Sequence, residues 1–372
     1  MIVPTPAPTE PSEAHSPTSL GVRLDAGVSP SPAAMAALAA SYCAAVSCRG
    51  EVDRMLELAR SLGRTAALPR GGCTLERWQL LATLGAADLT AARIVEPHLD
   101  ALAILAEAGC GDLHADGRTW GVYAAQGAGP QLLATQNGGT WRLDGEKPWC
   151  SLADNLSHAL ITARFDDDAG LFAIDLRHPG VTSSGPPWTS LGLPQVPSRR
   201  LSLAGVPALP VGGPGWYVQR PGFFWGGAGV AAVWQGAATS LARRLLQHCR
   251  SRKPDQIALW HLGRADQALW AARSVFQSAA AIADRLEGTD EEASHEAALA
   301  AGRARATAVG AVETVLSVTA HGMGPEPLAF EPAHAQRVAD LELYVRQDHA
   351  ERSVAAHGAM MLAAADAGTL PW

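Results

Sequence analysis

Leu143-Asp144-Gly145-Glu146-Lys147-Pro148-Trp149-Cys150-Ser151 is the stretch on which the fold turns. Just upstream, Thr140-Trp141-Arg142-Leu143 alternates like a half-buried strand, and Asp144-Gly145 supplies a hairpin turn. The second strand then ends on an aromatic ring at Trp149, with a hydroxyl two positions on at Ser151. Ser157 to Arg164 begins the next strand. By itself an Asp-Gly hairpin closing on Trp also fits a plain sheet core, with the ring as packing. The segments on either side weigh on that choice.

Around this hairpin lie further short segments rich in β-formers: Thr119 to Ala125, Gln131 to Thr135, Leu171 to Ile174 and Arg200 to Leu203, separated by Gly, Pro and Asp. Such spacing predicts a compact antiparallel sheet or barrel, and the absence of long helices between the strands excludes a doubly wound α/β fold. The chain before them reads as helix. Ser31-Pro32 caps an Ala-rich run to about Cys48, Glu51 to Leu62 follows, and Leu75 to Leu84 and Leu89 to Ala108 repeat the pattern, with Pro97 expected to kink or split the last. After Gly222 the pattern returns to helix in four long segments, about 222–251, 259–287, 291–321 and 334–363, joined by short polar breaks that predict a four-helix bundle. The resulting division is an extended or disordered arm over 1–32, a helical domain over 33–115, a β-domain over 116–215 and a helical bundle over 216–372. The fold class is α+β.

That order, with the hairpin at its centre, resembles the acyl-CoA dehydrogenase superfamily over roughly residues 50 to 360. Members carry Gly-Glu/Gln-Lys-x-Trp-x-Thr/Ser in the middle β-domain, the Trp packed on the flavin ring and the hydroxyl bonded to it. The resemblance therefore implies FAD as cofactor, with Trp149 and Ser151 as contacts. Leu201 to Pro207 is similar to the family's strand running into a Val-Pro turn, and Gly226 to Gly236 to its first bundle helix.

Other family motifs are only partly kept. The Thr-Glu-Pro-Gly-x-Gly-Ser segment corresponds to Tyr123-Ala124-Ala125-Gln126-Gly127-Ala128-Gly129-Pro130, so backbone groups of Tyr123 and Ala124 remain as flavin contacts while the hydroxyls are lost. Arg252, in Arg252-Lys253-Pro254-Asp255, stands where the family's Arg reaches a neighbouring subunit's flavin pyrophosphate; its alternative is a solvated loop cation. Gly322 and Gly324 resemble a dinucleotide-side Gly-Gly-x-Gly, or else form an ordinary helix stop. The family's Tyr-Glu-Gly base falls on Gln347-Asp348-His349, which leaves Asp348 or His349 as catalytic candidates, against a charged helix face made with Arg346, Glu351 and Arg352.

Composition sets the outer bounds. A length of 372 residues allows two or three domains or one multi-layer unit, and the six cysteines form no CxxC pair or zinc-like cluster, so no metal is expected. Their scatter suits a reducing cytoplasm. A net charge of −7 from only 17% charged residues, with no basic stripe, excludes nucleic-acid binding as the main reading. The stretch between Arg220 and Arg243 carries no charge, yet its Gly, Ala, Gln235, Thr239 and Ser240 predict a buried helix rather than a membrane span. Gly226-Gly227-Ala228-Gly229 follows no strand and has Cys249 and Arg250 where a Rossmann acid would stand.

The expectation is an FAD-dependent oxidoreductase acting on an acyl thioester or related small substrate by proton abstraction and hydride transfer. Two alternatives share the fold: a flavin-dependent monooxygenase, which needs no α-carbon base, and a scaffold without cofactor. The uncharged helix and the Ala-rich bundle further predict a homodimer or homotetramer.

Overall fold

The uncharged run between Arg220 and Arg243 lies within a single helix at the centre of the molecule. In the computed structural model, which describes residues 20–27, 31–114, 117–125, 131–166, 168–288, 291–366 and 368, this helix is α6 (Pro221–Arg250). Its small residues let neighbours come close. A Cβ on Gly236 would lie 1.8 Å from the Ala82 carbonyl oxygen of α3 (Thr74–Ala87), and one on Gly85 would lie 2.2 Å from the Val233 carbonyl oxygen. α7 (Gln256–Arg285) and α8 (Glu291–Met323) pack alongside. Between them Trp78 contacts Trp225 and Phe276 at ring separations of 6.3 and 5.7 Å.

The N-terminal helices are α1 (Pro32–Ser47), α2 (Val52–Gly63), α3 and α4 (Leu89–Glu107). The Ser31 hydroxyl accepts from the Ala34 N–H at 3.2 Å, so the expected cap forms. Pro97 does not split α4: the helix runs continuously through it. The expected arm over 1–32 needs correction at residues 20–27, where Val22 and Leu24 are buried in the core. Their N–H groups donate to Thr83 Oγ1 at 2.9 Å and Gln79 Oε1 at 3.1 Å, so side chains of α3 supply the backbone partners that a strand would otherwise give. Residues 1–19 and 28–30 lie outside the described residues.

Seven strands follow: β1 (Trp120–Tyr123), β2 (Leu133–Asn137), β3 (Thr140–Ser151), β4 (His158–Phe165), β5 (Asp168–Asp175), β6 (Val181–Ser184) and β7 (Ser198–Val211). Pairings β4–β2–β3–β7–β5–β4 close on themselves, as in a barrel, with β1 on β4 and β6 on β7. The expectation of purely antiparallel pairing fails at β1–β4 and at β2–β4, which are parallel. The Asp144-Gly145 hairpin is also corrected. The turn is at Gly138-Gly139, and Asp144-Gly145 is a bulge inside the 12-residue β3, where the register against β7 shifts between Leu143 and Gly145. Gly145 sits at φ +120 there, with Gln131's carbonyl oxygen 2.4 Å from where a Cβ would be, so a side chain is excluded at the bulge.

After α5 (Trp216–Gln219), α6, α7 and α8 come α9 (Glu326–Phe330), α10 (Pro332–Tyr344) and α11 (Glu351–Asp366). The expected single segment over 334–363 is thus broken at residues 345–350, where a short 3-10 turn over Val345–Gln347 leads into a loop carrying Asp348 and His349. Among the described residues no helix is long and apolar enough to cross a membrane, and all six cysteines are unpaired.

Candidate functional site

At the end of β3 the backbone twists sharply. Trp149 lies at φ +61 and Leu152 at φ +56, two non-glycine residues in the left-handed region within four positions. This turn leaves the Trp149 ring 62% exposed while Cys150 and Ser151 point inward and are buried. Ser151 Oγ accepts from Arg93 Nη2 of α4 at 3.1 Å and shares a 2.7 Å hydrogen bond with Ser198 Oγ. Tyr123 donates its hydroxyl to the Ser151 carbonyl at 2.9 Å, which ties β1 to β3. Lys147 is buried and donates to Thr162 through Oγ1 at 2.6 Å and the carbonyl at 2.9 Å; burial pushes its ammonium down to about 8. Burial also pushes the Cys150 thiol up to about 12, which leaves it inert as a nucleophile.

From Ser151 a line of contacts crosses into the helical bundle. The Arg93 guanidinium lies over the Tyr344 ring at 5.5 Å, Tyr344 meets Trp234 at 6.1 Å, and Arg305 of α8 lies over Trp234 at 5.0 Å. Arg305 then donates to the Gly227 carbonyl at 2.6 Å and to Asp348 Oδ1 at 3.3 Å. The expected base therefore faces the interior, with its side chain 7% exposed, but one oxygen is held by Arg305 and the other accepts from the Ala350 N–H at 2.8 Å. His349 is exposed, and its backbone N–H donates to Ser353 Oγ at 3.3 Å. The two candidates are adjacent in sequence but do not share a site. Glu351 is exposed, and Arg346 pairs with Glu313 at 3.1 Å on the surface.

The remaining expected contacts are scattered. Ala124 is half-buried at the end of β1, and the following Gln126 to Pro130 lies outside the described residues. Arg252 is exposed beside His248 in the loop after α6. Gly322 packs against Leu245 and His261, and Gly324, at φ +69, ends α8 as a glycine stop does.

Two residues that motif reading passes over lie on the same line. Glu96 and Asp100 are one turn apart on α4, in a helix whose other inward positions are mostly apolar. Burial, then the charge of Asp100, pushes the Glu96 carboxyl up to about 7, and burial also raises Asp100. Arg77, Arg93 and Arg305 oppose the shift of Glu96, and Arg220 and Arg77 that of Asp100. The signal was present in Ile94-Val95-Glu96-Pro97-His98-Leu99-Asp100-Ala101-Leu102: carboxylates on the buried side of an apolar helix.

Residues 124–206 match the family described as acyl-CoA dehydrogenase, middle domain. Over nearly the whole chain the structure is similar to butyryl-CoA dehydrogenase from Megasphaera elsdenii, with a TM-score of 0.75 and 15% identity, covering 90% of this chain and 100% of that one. Across nearly its whole length the chain thus has the acyl-CoA dehydrogenase-like fold. Within the superfamily fold it is also similar to KijD3, solved with FMN and dTDP-3-amino-2,3,6-trideoxy-4-keto-3-methyl-D-glucose, with a TM-score of 0.75, 17% identity, and coverage of 92% and 96%. TdsC from Paenibacillus sp. A11-2, solved with FMN and indole, gives a TM-score of 0.73, 15% identity, and coverage of 88% and 96%. A comparison with curated protein sequences found no match. At these identities the structural likeness speaks for the fold, and the chemistry of the site rests on the residues described above.

Proposed function

We propose that the chain is an FAD-dependent oxidoreductase acting on a small substrate, an acyl thioester or a related molecule. The observation that carries this reading is Trp149. A large indole face held 62% exposed by a left-handed backbone is costly for a folded chain and is suited to stacking a flat ring system. Ser151, two residues on, offers a hydroxyl whose proton can turn from Ser198 to a ring edge while the oxygen still accepts from Arg93. The residues present thus fit a flavin ring, with Tyr123 and Ala124 backbone groups beside it. Arg252, on an exposed loop beside His248, would serve a neighbouring subunit's cofactor, and Gly322 and Gly324 would lie toward its dinucleotide. When bound, the flavin supplies hydride acceptance or electron delivery to oxygen.

On the protein's side, the tethering of Asp348 by Arg305 and the Ala350 N–H weighs against its service as an α-carbon base. His349, facing solvent, does not replace it. This favours the oxygen-using monooxygenase reading, which needs no such base. Exposed Ile257, Leu259, Trp260 and Trp270 along α7 support a homodimer or homotetramer, and the unpaired cysteines support a cytoplasmic setting.

The test is an anaerobic mixing experiment on FAD-loaded protein. Straight-chain acyl-CoA should leave the flavin absorbance unbleached. Rapid bleaching that survives Asp348→Asn would mean a dehydrogenase with its base elsewhere, and failure to load FAD at all would favour the cofactor-free scaffold.

A further inference from the structure

We propose that the break in the barrel between β1 and β2 binds a small oxyanion, the carboxylate or phosphate group of a ligand, held by Lys147, Arg164 and Gln131. The inference does not rest on the flavin reading, since none of the three is among the flavin contacts named above.

The strand pairings leave the break. β1 ends on β4 with the pair Tyr123–Ile161, and β2 meets β4 only at Leu133–Arg164. Thr162 falls between the two, so its carbonyl has no strand to accept from on that edge. The Lys147 side chain, reaching across from β3, supplies the donor: its ammonium gives one N–H to the Thr162 carbonyl at 2.9 Å and another to Thr162 Oγ1 at 2.6 Å. A purely structural lysine would need no more than this.

Lys147 is only 5% exposed, and a charge buried that far is normally matched by an opposite one. Among the described residues no carboxylate pairs with it. Its neighbour Glu146 is paired with Arg200 of β7 at 2.8 Å, and burial, opposed only by the Cys150 thiol, brings the Lys147 ammonium down to about 8. An ammonium carries three donors and Thr162 takes two, which leaves one N–H without a partner among the described residues. Beside this group lies a cavity of ≈ 100 Å³, lined by Lys147, Thr162, Arg164, Gln131 and Glu146, with room for a group of a few heavy atoms. Arg164, exposed at its rim, donates one N–H to Gln131 Oε1 at 3.3 Å. The rest of the guanidinium fork and the Gln131 amide NH2 remain as donors.

An oxyanion matches this set. It supplies the negative charge that the buried ammonium lacks, and its oxygens accept from all three side chains. A cation would meet Lys147 and Arg164, and a neutral ligand would leave the ammonium uncompensated. The charged and titratable groups around the cavity are Glu146, Lys147 and Cys150 of β3, Arg164 of β4, Asp168 of β5 and Arg200 of β7. Burial pushes the Cys150 thiol up to about 12, so Lys147 is the group whose charge changes just above neutrality. Binding needs the protonated ammonium, so affinity should fall as pH rises through about 8.

The experiment is isothermal titration calorimetry of the full chain with acetate, with inorganic phosphate and with uncharged acetamide, at constant ionic strength, for wild type, Lys147→Met and Arg164→Gln. At least one of the two anions should bind wild type saturably and acetamide should not; acetate alone identifies a carboxylate ligand and phosphate alone a phosphate one. Lys147→Met should weaken that binding at least tenfold and Arg164→Gln by a smaller factor, and wild-type affinity should fall between about pH 7.5 and about pH 9.5. No saturable binding of either anion, equal binding of acetamide, an affinity that Lys147→Met leaves unchanged, or one that stays constant over that pH range would overturn the proposal. The wild-type titrations and Arg164→Gln, on the exposed rim, decide the matter even where Lys147→Met does not fold.

Discussion

Burial keeps a proton on Glu96 up to about pH 7, whereas the unfolded chain releases it at its ordinary value of 4.5. Across that window the native state binds the extra proton, so stability falls as pH rises, by about 3 kcal/mol in all once pH passes 7. Glu96→Gln removes the titrating group but keeps the shape. Denaturant unfolding should find the variant close to wild type near pH 5 and more stable by up to about 3 kcal/mol near pH 8. A variant that is less stable at both values would mean that Glu96 is held by satisfied ion pairs with Arg93, Arg77 and Arg305. The residue scale is also where sequence reading was least complete. The place of Trp149 and Ser151 at the end of a strand was legible, because a strand end with an aromatic and a hydroxyl has a local pattern. Glu96 and Asp100 were not, because their significance depends on which face of α4 is buried. Asp348 was read as part of one helix over 334–363, whereas it lies in the loop after Val345–Gln347, and its tie to Arg305, 43 positions away, has no sequence signal.

Element by element, the helices were read well and the joints poorly. Apolar periodicity marked α3, α6 and α8, and the absence of charge between Arg220 and Arg243 correctly required burial. Pro97 does not split α4, because burial of the helix among its neighbours outweighs the lost backbone bond. Gly145 was misjudged because a turn dipeptide and a bulge both require a positive φ, and only the pairing of β3 with β7 tells them apart. The α3–α6 crossing yields a sharp prediction. A side chain at Gly236 would run into the Ala82 carbonyl, part of a helix backbone that cannot rotate aside. Gly236→Val should therefore destabilise the protein by about 3 kcal/mol or more, or prevent folding, measured by chemical denaturation. A neutral outcome would show that α3 and α6 do not cross at these glycines. By contrast, an exposed substitution on α7 such as Arg264→Lys should change stability by less than about half a kcal/mol.

For the whole molecule, the order of helices, closed sheet and helical bundle was visible in the sequence, since two changes of hydrophobic period, from helix to strand and back, define it. What escaped was the strap formed by residues 20–27, whose Val22 and Leu24 lie in a Pro-rich setting that reads as too polar to fold. Its carbonyls at Leu20 and Gly21 accept from Arg243, and Asp25's accepts from Arg273, so the bundle supplies the order that the segment lacks. The exposed α7 surface around Trp260 and Trp270 leads to an expectation about assembly: light scattering at micromolar concentration should give a dimer or tetramer, and Trp260→Glu with Trp270→Glu should shift it toward monomer. A monomeric wild type would remove the partner that Arg252 needs. The central claim is that Trp149 and Ser151 mark a working flavin site, and equilibrium titration of FAD fluorescence tests it most directly. Wild type should bind FAD and quench its emission, with affinity reduced at least tenfold by Trp149→Ala, a loss of about 1.4 kcal/mol. Unchanged emission on adding excess wild-type protein, or identical affinity in Trp149→Ala, would contradict it.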